Sequence, residues 1–225
     1  MKAILTAAGL AAVLLATPAV AKDDFQQWLT ASATIKVSDR VKLSNEFVAR
    51  FGDAANGLYE LENSTLVGYQ LSKKVTAWAG YVHNPTYKDG DFIILERRAR
   101  EQLTFDNIAS LGKAQVSARI RTEQRWREGI DGTGWRLRPY AKIAIPLGGK
   151  KAPTLNVTTE PFINLNTTSF QARNGLDRVR NAVSLSLPLN TALKAEAGYL
   201  NQHRFIANGP DTSDHALTAA ISASF

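Results

Sequence analysis

Residues 116–128 read VSARIRTEQRWRE, and their polar and apolar positions alternate. Ser117, Arg119, Arg121, Glu123, Arg125 and Arg127 share one parity, while Val116, Ala118, Ile120, Thr122, Gln124 and Trp126 share the other. A period of two is the mark of a β-strand, whose successive side chains point to opposite faces. The same alternation predicts about eleven strands, near 25–37, 40–51, 58–71, 74–83, 92–106, 114–127, 135–147, 154–166, 177–188, 192–204 and 214–225. No segment has a helical period. In 177–188 Val179, Val183, Leu185 and Leu187 oppose Arg178, Arg180, Ser184 and Ser186; in 135–147 Trp135, Leu137, Ile143 and Ile145 oppose Arg136, Arg138 and Lys142.

Length decides between a soluble sheet and a membrane one. Globular strands average ~5–6 residues, whereas a tilted strand needs ~9–11 to cross the apolar layer of a bilayer, and these segments run longer than the first figure. Tight connections (SDR, LSKK, LPLNTA) alternate with wider polar ones (GDAANG, NPTYKDGD, EGIDGTG, TSFQARNG, IANGPDTSD), the rhythm of inner turns and outer loops in a membrane barrel. The segment 92–106 resists simple sorting: with Glu96, Arg98, Arg100, Gln102 and Thr104 inside, Arg97 and Glu101 fall on the lipid side. A β-bulge near ERRARE, or a position close to a rim, is expected there. Bacterial single-chain barrels have even strand numbers, so the eleven segments point to a count of ten or twelve, with twelve preferred.

The ends place the chain. Lys2 precedes the apolar run AILTAAGLAAVLLA and the small-residue site TPAVA, which together read as a secretory signal peptide over 1–21 and a single domain over 22–225. The last segment alternates Leu217, Ala219, Ile221, Ala223 and Phe225, and a terminal Phe in such a strand resembles the signal read by the outer-membrane barrel assembly machinery. Trp126, Trp135, Tyr81, Tyr199 and Tyr69 lie on the apolar parity, where an aromatic girdle is expected. The fold class is therefore all-β: a transmembrane antiparallel up-and-down β-barrel of about 10–12 strands in the outer membrane of a Gram-negative cell. A soluble periplasmic β-barrel binding protein is the alternative.

Composition narrows the chemistry. Cysteine is absent, which removes disulfides, thiolate metal sites and thiol nucleophiles. The net charge of +7 raises the question of nucleic acid, but the arginines alternate along strands of an exported chain, and no nucleic-acid partner is expected. Lipid does not accept an arginine at its midplane, which costs ~2–4 kcal/mol on a barrel exterior, so these side chains are assigned to the lumen. The lumen-lining candidates are Arg98, Arg100, Arg119, Arg121, Glu123, Arg125, Arg136, Arg138, Glu160, Arg178, Arg180 and Glu196, joined by Glu46, Glu60, Glu62, Glu96, Arg50, Arg127, Lys142, Lys194 and Arg204. Such crowding implies a narrow or closed tube crosslinked by Arg–carboxylate pairs, or an anion-attracting constriction.

The function expected from this pattern is that of a narrow porin-like pore or a structural envelope barrel, without enzymatic activity, cofactor or metal, in contact with outer-membrane lipids and lipopolysaccharide. A lipid-modifying hydrolase or acyltransferase is the enzymatic alternative. Its candidates are a rim Ser213 beside His215, with His83 and His203 on other segments; the metal-like cluster Asp211, Asp214 and His215 has no spacing that specifies a metal. The ordered segments DFQQWLTASATIKVSDR, FVARFGD, GYQLSKKVTAWAGYVHN, RIRTEQRW, WRLRPYAKIAIPL, DRVRNAVSLSLPL and AEAGYLNQHRF resemble an uncharacterised family of bacterial outer-membrane β-barrels known only as a domain of unknown function (2490). That resemblance implies the fold and the location, and supplies no activity or site residues.

Overall fold

The computed structural model describes residues 23–149 and 151–225; the signal peptide expected over 1–21 lies outside them. Eleven strands form among the described residues: β1 (Asp24–Lys36), β2 (Val41–Gly52), β3 (Gly57–Gln70), β4 (Val75–Lys88), β5 (Asp91–Leu111), β6 (Ala114–Arg127), β7 (Ile130–Pro146), β8 (Thr154–Asn164), β9 (Gly175–Pro188), β10 (Leu193–Arg204) and β11 (Thr212–Ser224). Each pairs antiparallel with its sequence neighbour, and the sheet closes between β1 and β11 into a barrel. Apart from one 3-10 turn, Asp53–Ala55, the described residues form no helix.

The count corrects the expectation of twelve. An up-and-down chain with an odd number of strands brings its first and last strands together running the same way, and here β1 and β11 pair in parallel from Asp24↔Asp214 to Thr34↔Ser224. Parallel ladders satisfy every backbone donor and acceptor too, so closure leaves no open edge. The start of β1 and the end of β11 consequently lie at opposite ends of the barrel. Phe225 ends the β11 side, where its N–H donates to the Thr34 carbonyl at 3.0 Å and its carbonyl accepts from Lys36 N at 2.8 Å.

Phe225 shares its end with the turns β1–β2, β3–β4, β5–β6, β7–β8 and β9–β10, here called the turn end. At the opposite, loop end the expected wide connections NPTYKDGD and EGIDGTG are mostly strand. β4 runs to Lys88 and turns through Asp89 (φ 53°) and Gly90 (φ 87°), left-handed geometry suited to a tight hairpin. The β6–β7 hairpin likewise turns at Gly129 (φ 70°). Only residues 165–174 and 205–211 make long connections there.

No bulge occurs at ERRARE. The β5–β6 ladder runs unbroken from Glu96↔Arg127 to Phe105↔Ala118, and the irregularities of β5 lie to either side, at Ile93 and between Phe105 and Ala109. Arg97 and Glu101 do point outward. Arg97 pairs with Glu128 at 3.2 Å near the loop end, which matches the rim alternative, while Glu101 accepts hydrogen bonds from Thr122 Oγ1 (2.9 Å) and Gln124 Nε2 (3.3 Å).

The distribution of side chains is inverted relative to a soluble protein. Outside, Leu29, Phe47, Val67, Leu103, Ile120, Ile143, Val157, Val183, Leu185, Leu217 and Ile221 are exposed, as are all five expected girdle aromatics. Trp126 and Trp135 sit at the loop end and Tyr69 at the turn end, but Tyr81 and Tyr199 stand near the middle of β4 and β10. Inside, most buried residues are polar or charged. Towards the turn end Trp78 turns into the lumen and lies over Gly68; a Cβ on that glycine would come within 2.6 Å of the indole.

Candidate functional site

Alternation turns one parity of each strand inward, and a barrel of this girth is wide enough for arginine side chains to meet across it. Four buried carboxylates organise them: Glu62 on β3, Glu96 on β5, Glu123 on β6 and Glu160 on β8. Glu123 accepts from Arg100 (2.9 Å), Arg136 (2.6 Å) and Arg138 (3.0 Å). Glu62 accepts from Arg50 (3.3 Å), Arg98 (3.2 Å) and Arg100 (2.8 Å), and Glu96 from Arg98 (2.6 Å), Arg125 (2.8 Å) and Arg127 (2.9 Å). Glu160 holds Arg138 at 3.0 Å and also pairs with Arg119. Each carboxylate thus ties together guanidiniums from neighbouring strands. Charge-assisted bonds of this kind are shorter and stronger than neutral ones.

Two of the lumen arginines expected from sequence have no carboxylate partner among the described residues. Arg121 donates to the Gln102 side chain at 2.9 Å, and Arg180 to Gln202 at 2.7 Å. Arg180 is also stacked between two rings, its guanidinium 4.6 Å from the centroids of both Trp28 and Phe162. Phe162 further faces Arg138 at 4.1 Å, and Trp28 faces Arg50 at 4.6 Å. Cation–π contact lets like charges gather where carboxylates are too few. Arg178 bonds Asp177 at 2.6 Å, and Arg204 bonds Asp214 at 2.8 Å.

Above the Glu62–Arg100–Glu123 crosslink, towards the loop end, lies a chamber of about 210 Å³. Arg98, Arg125, Arg127, Arg136, Arg138, Arg178, Arg180 and Arg204 line it against Glu60, Glu62 and Glu96, with Tyr59 and Phe162 completing the wall. The β8–β9 loop folds over this side. Gln171 accepts from Arg125 Nη1 at 2.8 Å, its amide donates to the carbonyls of Trp135 and Asn166, and Phe170 covers Arg127 at 5.1 Å. Pro139 of β7 faces Pro161 of β8 in an interruption of their ladder between Leu137↔Ile163 and Ala141↔Thr159, because neither has an N–H to donate.

Of the lumen residues expected from sequence, all but Glu46, Lys142, Lys194 and Glu196 meet in or directly around this network. Glu196 lies towards the turn end, where it accepts from Ser184 at 2.6 Å and faces Lys194 at 3.8 Å. Trp28, Phe162, Gln171, Gln202 and Asp214 were not among the expected lining. Trp28 and Gln202 share the inward parity of their strands and were legible in that way; Gln171 lies in a loop, where alternation says nothing.

The rim residues separate. Asp214 turns inward, where Gln202 Nε2 (2.6 Å) and Arg204 Nε (2.9 Å) donate to it, while Asp211 and His215 stay on the outside. Ser213 does not meet His215 but its cross-strand partner His203, at 3.1 Å, and His215 bonds the Tyr199 hydroxyl.

A closed, charged-cored barrel with an apolar exterior defines this chain as a β-barrel protein of the up-and-down class. It belongs to the family described as "Protein of unknown function (DUF2490)", whose model matches residues 25–213. An uncharacterized protein of Methylorubrum extorquens is similar to it, with 32% identity over 200 residues that span 87% of this chain and 85% of the relative. No solved structure matches.

Proposed function

We propose that this protein is an outer-membrane β-barrel of Gram-negative type that is closed by its Arg/Glu core and holds small anions in the chamber above it. The observation that supports membrane insertion is the inverted side-chain distribution, with an apolar belt on the outer face of a sheet that has no free edge. Lipids and lipopolysaccharide then contact the belt, and Phe225 is the residue presented to the barrel assembly machinery.

The support for a closed tube is the complete burial of the Arg100 and Glu123 side chains at the crosslink. A narrow pore would need this pair to part. The excess of guanidiniums over carboxylates around the chamber favours an anionic guest. The test combines outer-membrane fractionation, gel migration before and after boiling, and conductance in a planar bilayer. Fractionation with the outer membrane, a heat-dependent shift and no steady current are the expected results. Release by osmotic shock without detergent overturns the membrane reading, and a stable ohmic current overturns the closed one.

A further inference from the structure

We infer that the outer face of β10 and β11 carries a serine hydrolase centre, Ser213–His203–Asp211, that acts on carboxylic esters of lipids. His203 and Ser213 are register partners at the loop end of the barrel. The imidazole stands between a hydroxyl and a carboxylate: Nδ1 lies 3.1 Å from Ser213 Oγ and Nε2 lies 3.3 Å from Asp211 Oδ2. Asp211 is itself held, its other oxygen accepting from Ile206 N at 3.0 Å, and Phe205 packs edge-on against the imidazole at 4.8 Å. A nucleophile bonded to a base, and that base oriented by an acid, is the arrangement that activates a serine.

The carboxylate sets the tautomer. With the Nε2–H donated to Asp211, the Nδ1 lone pair is left to accept the Ser213 proton. The ring is turned the opposite way from the commoner hydrolase arrangement, in which Nε2 meets the serine, but protonation of either nitrogen gives the same imidazolium. Oγ attacks the ester carbonyl carbon as its proton passes to Nδ1, and the carbonyl π electrons move to oxygen. Collapse breaks the bond to the alcohol, which departs with the proton from His203. Water then attacks the acyl-serine by the same route, releasing the acid and restoring the hydroxyl. Asn201, on the same face and diagonal to Ser213 across the strand pair, presents the carboxamide that we assign to the developing oxyanion; its Nδ2 now makes only a long bond, 3.4 Å, to the Asp214 carbonyl.

Access comes from outside the barrel, since the His203 and Asp211 side chains are 38% and 42% exposed. Ile206 adjoins the centre through Asp211, and beyond the Asn201–His215 pair the same outer face continues to Tyr199 and Leu217, exposed surface of the kind an ester with long acyl chains requires. The lipid assignment rests on the proposed membrane location; the triad does not.

The experiment treats the purified protein in detergent with a fluorophosphonate, maps the label by mass spectrometry, and follows hydrolysis of a short-chain p-nitrophenyl ester and of a phospholipid in mixed micelles. Label on Ser213 and cleavage of both esters are expected, both abolished in Ser213→Ala. In His203→Gln the rate is expected to fall at least about a hundredfold, whereas His215→Gln retains it. Heat-dependent gel migration confirms that each variant is folded. A folded protein that takes no label at Ser213, or that depends on His215 and not on His203, overturns the triad. Cleavage of the soluble ester alone overturns the lipid assignment, and fractionation separately decides the membrane location.

Discussion

Arg100 on β5 and Glu123 on β6 face each other as register partners, and Nη2 donates to Oε1 at 2.9 Å with neither side chain exposed to solvent. Each is committed further, Arg100 to Glu62 and Ser64, Glu123 to Arg136 and Arg138. A buried ion pair of this kind resists salt, because mobile ions do not reach it, and it closes the tube at the level where the strands hold it.

Removing the carboxylate is expected to be costly. Glu123→Ala leaves Arg100, Arg136 and Arg138 without a shared counter-charge in the core, and loss of one partner of a buried pair costs about 3–5 kcal/mol. The temperature at which the folded gel band is lost should fall clearly below that of the unmodified protein. Surface Glu128, which pairs with Arg97 in solvent-exposed geometry, is the contrast: Glu128→Ala should change stability by about 1 kcal/mol or less.

Opening the tube should reveal its sign. Arg100→Ala removes the side chain that bridges Glu62 and Glu123, and a current carried mainly by anions is expected in a planar bilayer under a salt gradient, since guanidiniums still outnumber carboxylates. Adding Arg121→Glu, at a position without a carboxylate partner among the described residues, should move the reversal potential towards cation preference. Arg119→Glu places a second carboxylate beside Glu160 and should act in the same direction. A cation preference in Arg100→Ala alone would contradict the inward assignment of these residues.

The chamber should respond to an anion. Phosphate binding only the folded barrel stabilises it by about 2.7 kcal/mol at a hundred times its dissociation constant. Arg180→Gln, which removes the guanidinium held between Trp28 and Phe162, is expected to abolish the phosphate-dependent part of the thermal shift while keeping any general effect of salt. Equal shifts in both proteins would argue against a guest at this place.

Two substitutions test the two faces of the sheet. Gly68→Val drives a side chain into the Trp78 ring, and overpacking of this kind costs about 1–3 kcal/mol, read as a lower unfolding temperature in detergent. Leu185→Arg, on the outer face of β9, should impair insertion into vesicles if that face meets lipid, an arginine there costing up to about 2–4 kcal/mol at the midplane and less towards a rim. Unimpaired insertion of Leu185→Arg would weigh against a membrane belt there.

Alternation along the chain determined by itself which residues of each strand share a face, because β side chains have a period of two whatever surrounds them. It therefore placed Arg98, Arg100, Arg121, Glu123, Arg136 and Arg138 together, and Val183, Leu185 and Leu217 on the opposite side. The order and approximate extent of the strands followed from the same signal. What period cannot carry is height around the barrel, since pairing between strands depends on register. Tertiary structure alone decided that Glu196 stands apart from the crosslinked core, that Ser213 meets His203 across β10–β11 and not its neighbour His215, and that Asp214, whose inward parity alternation gave, bonds Gln202 and Arg204 there. It also decided the parity of the whole: eleven strands close because β1 and β11 can pair in parallel, a bond between chain ends that no local pattern records. The inward loop is of the same kind, for the Gln171 side chain is drawn inward by Arg125 and the Trp135 carbonyl, both distant in sequence.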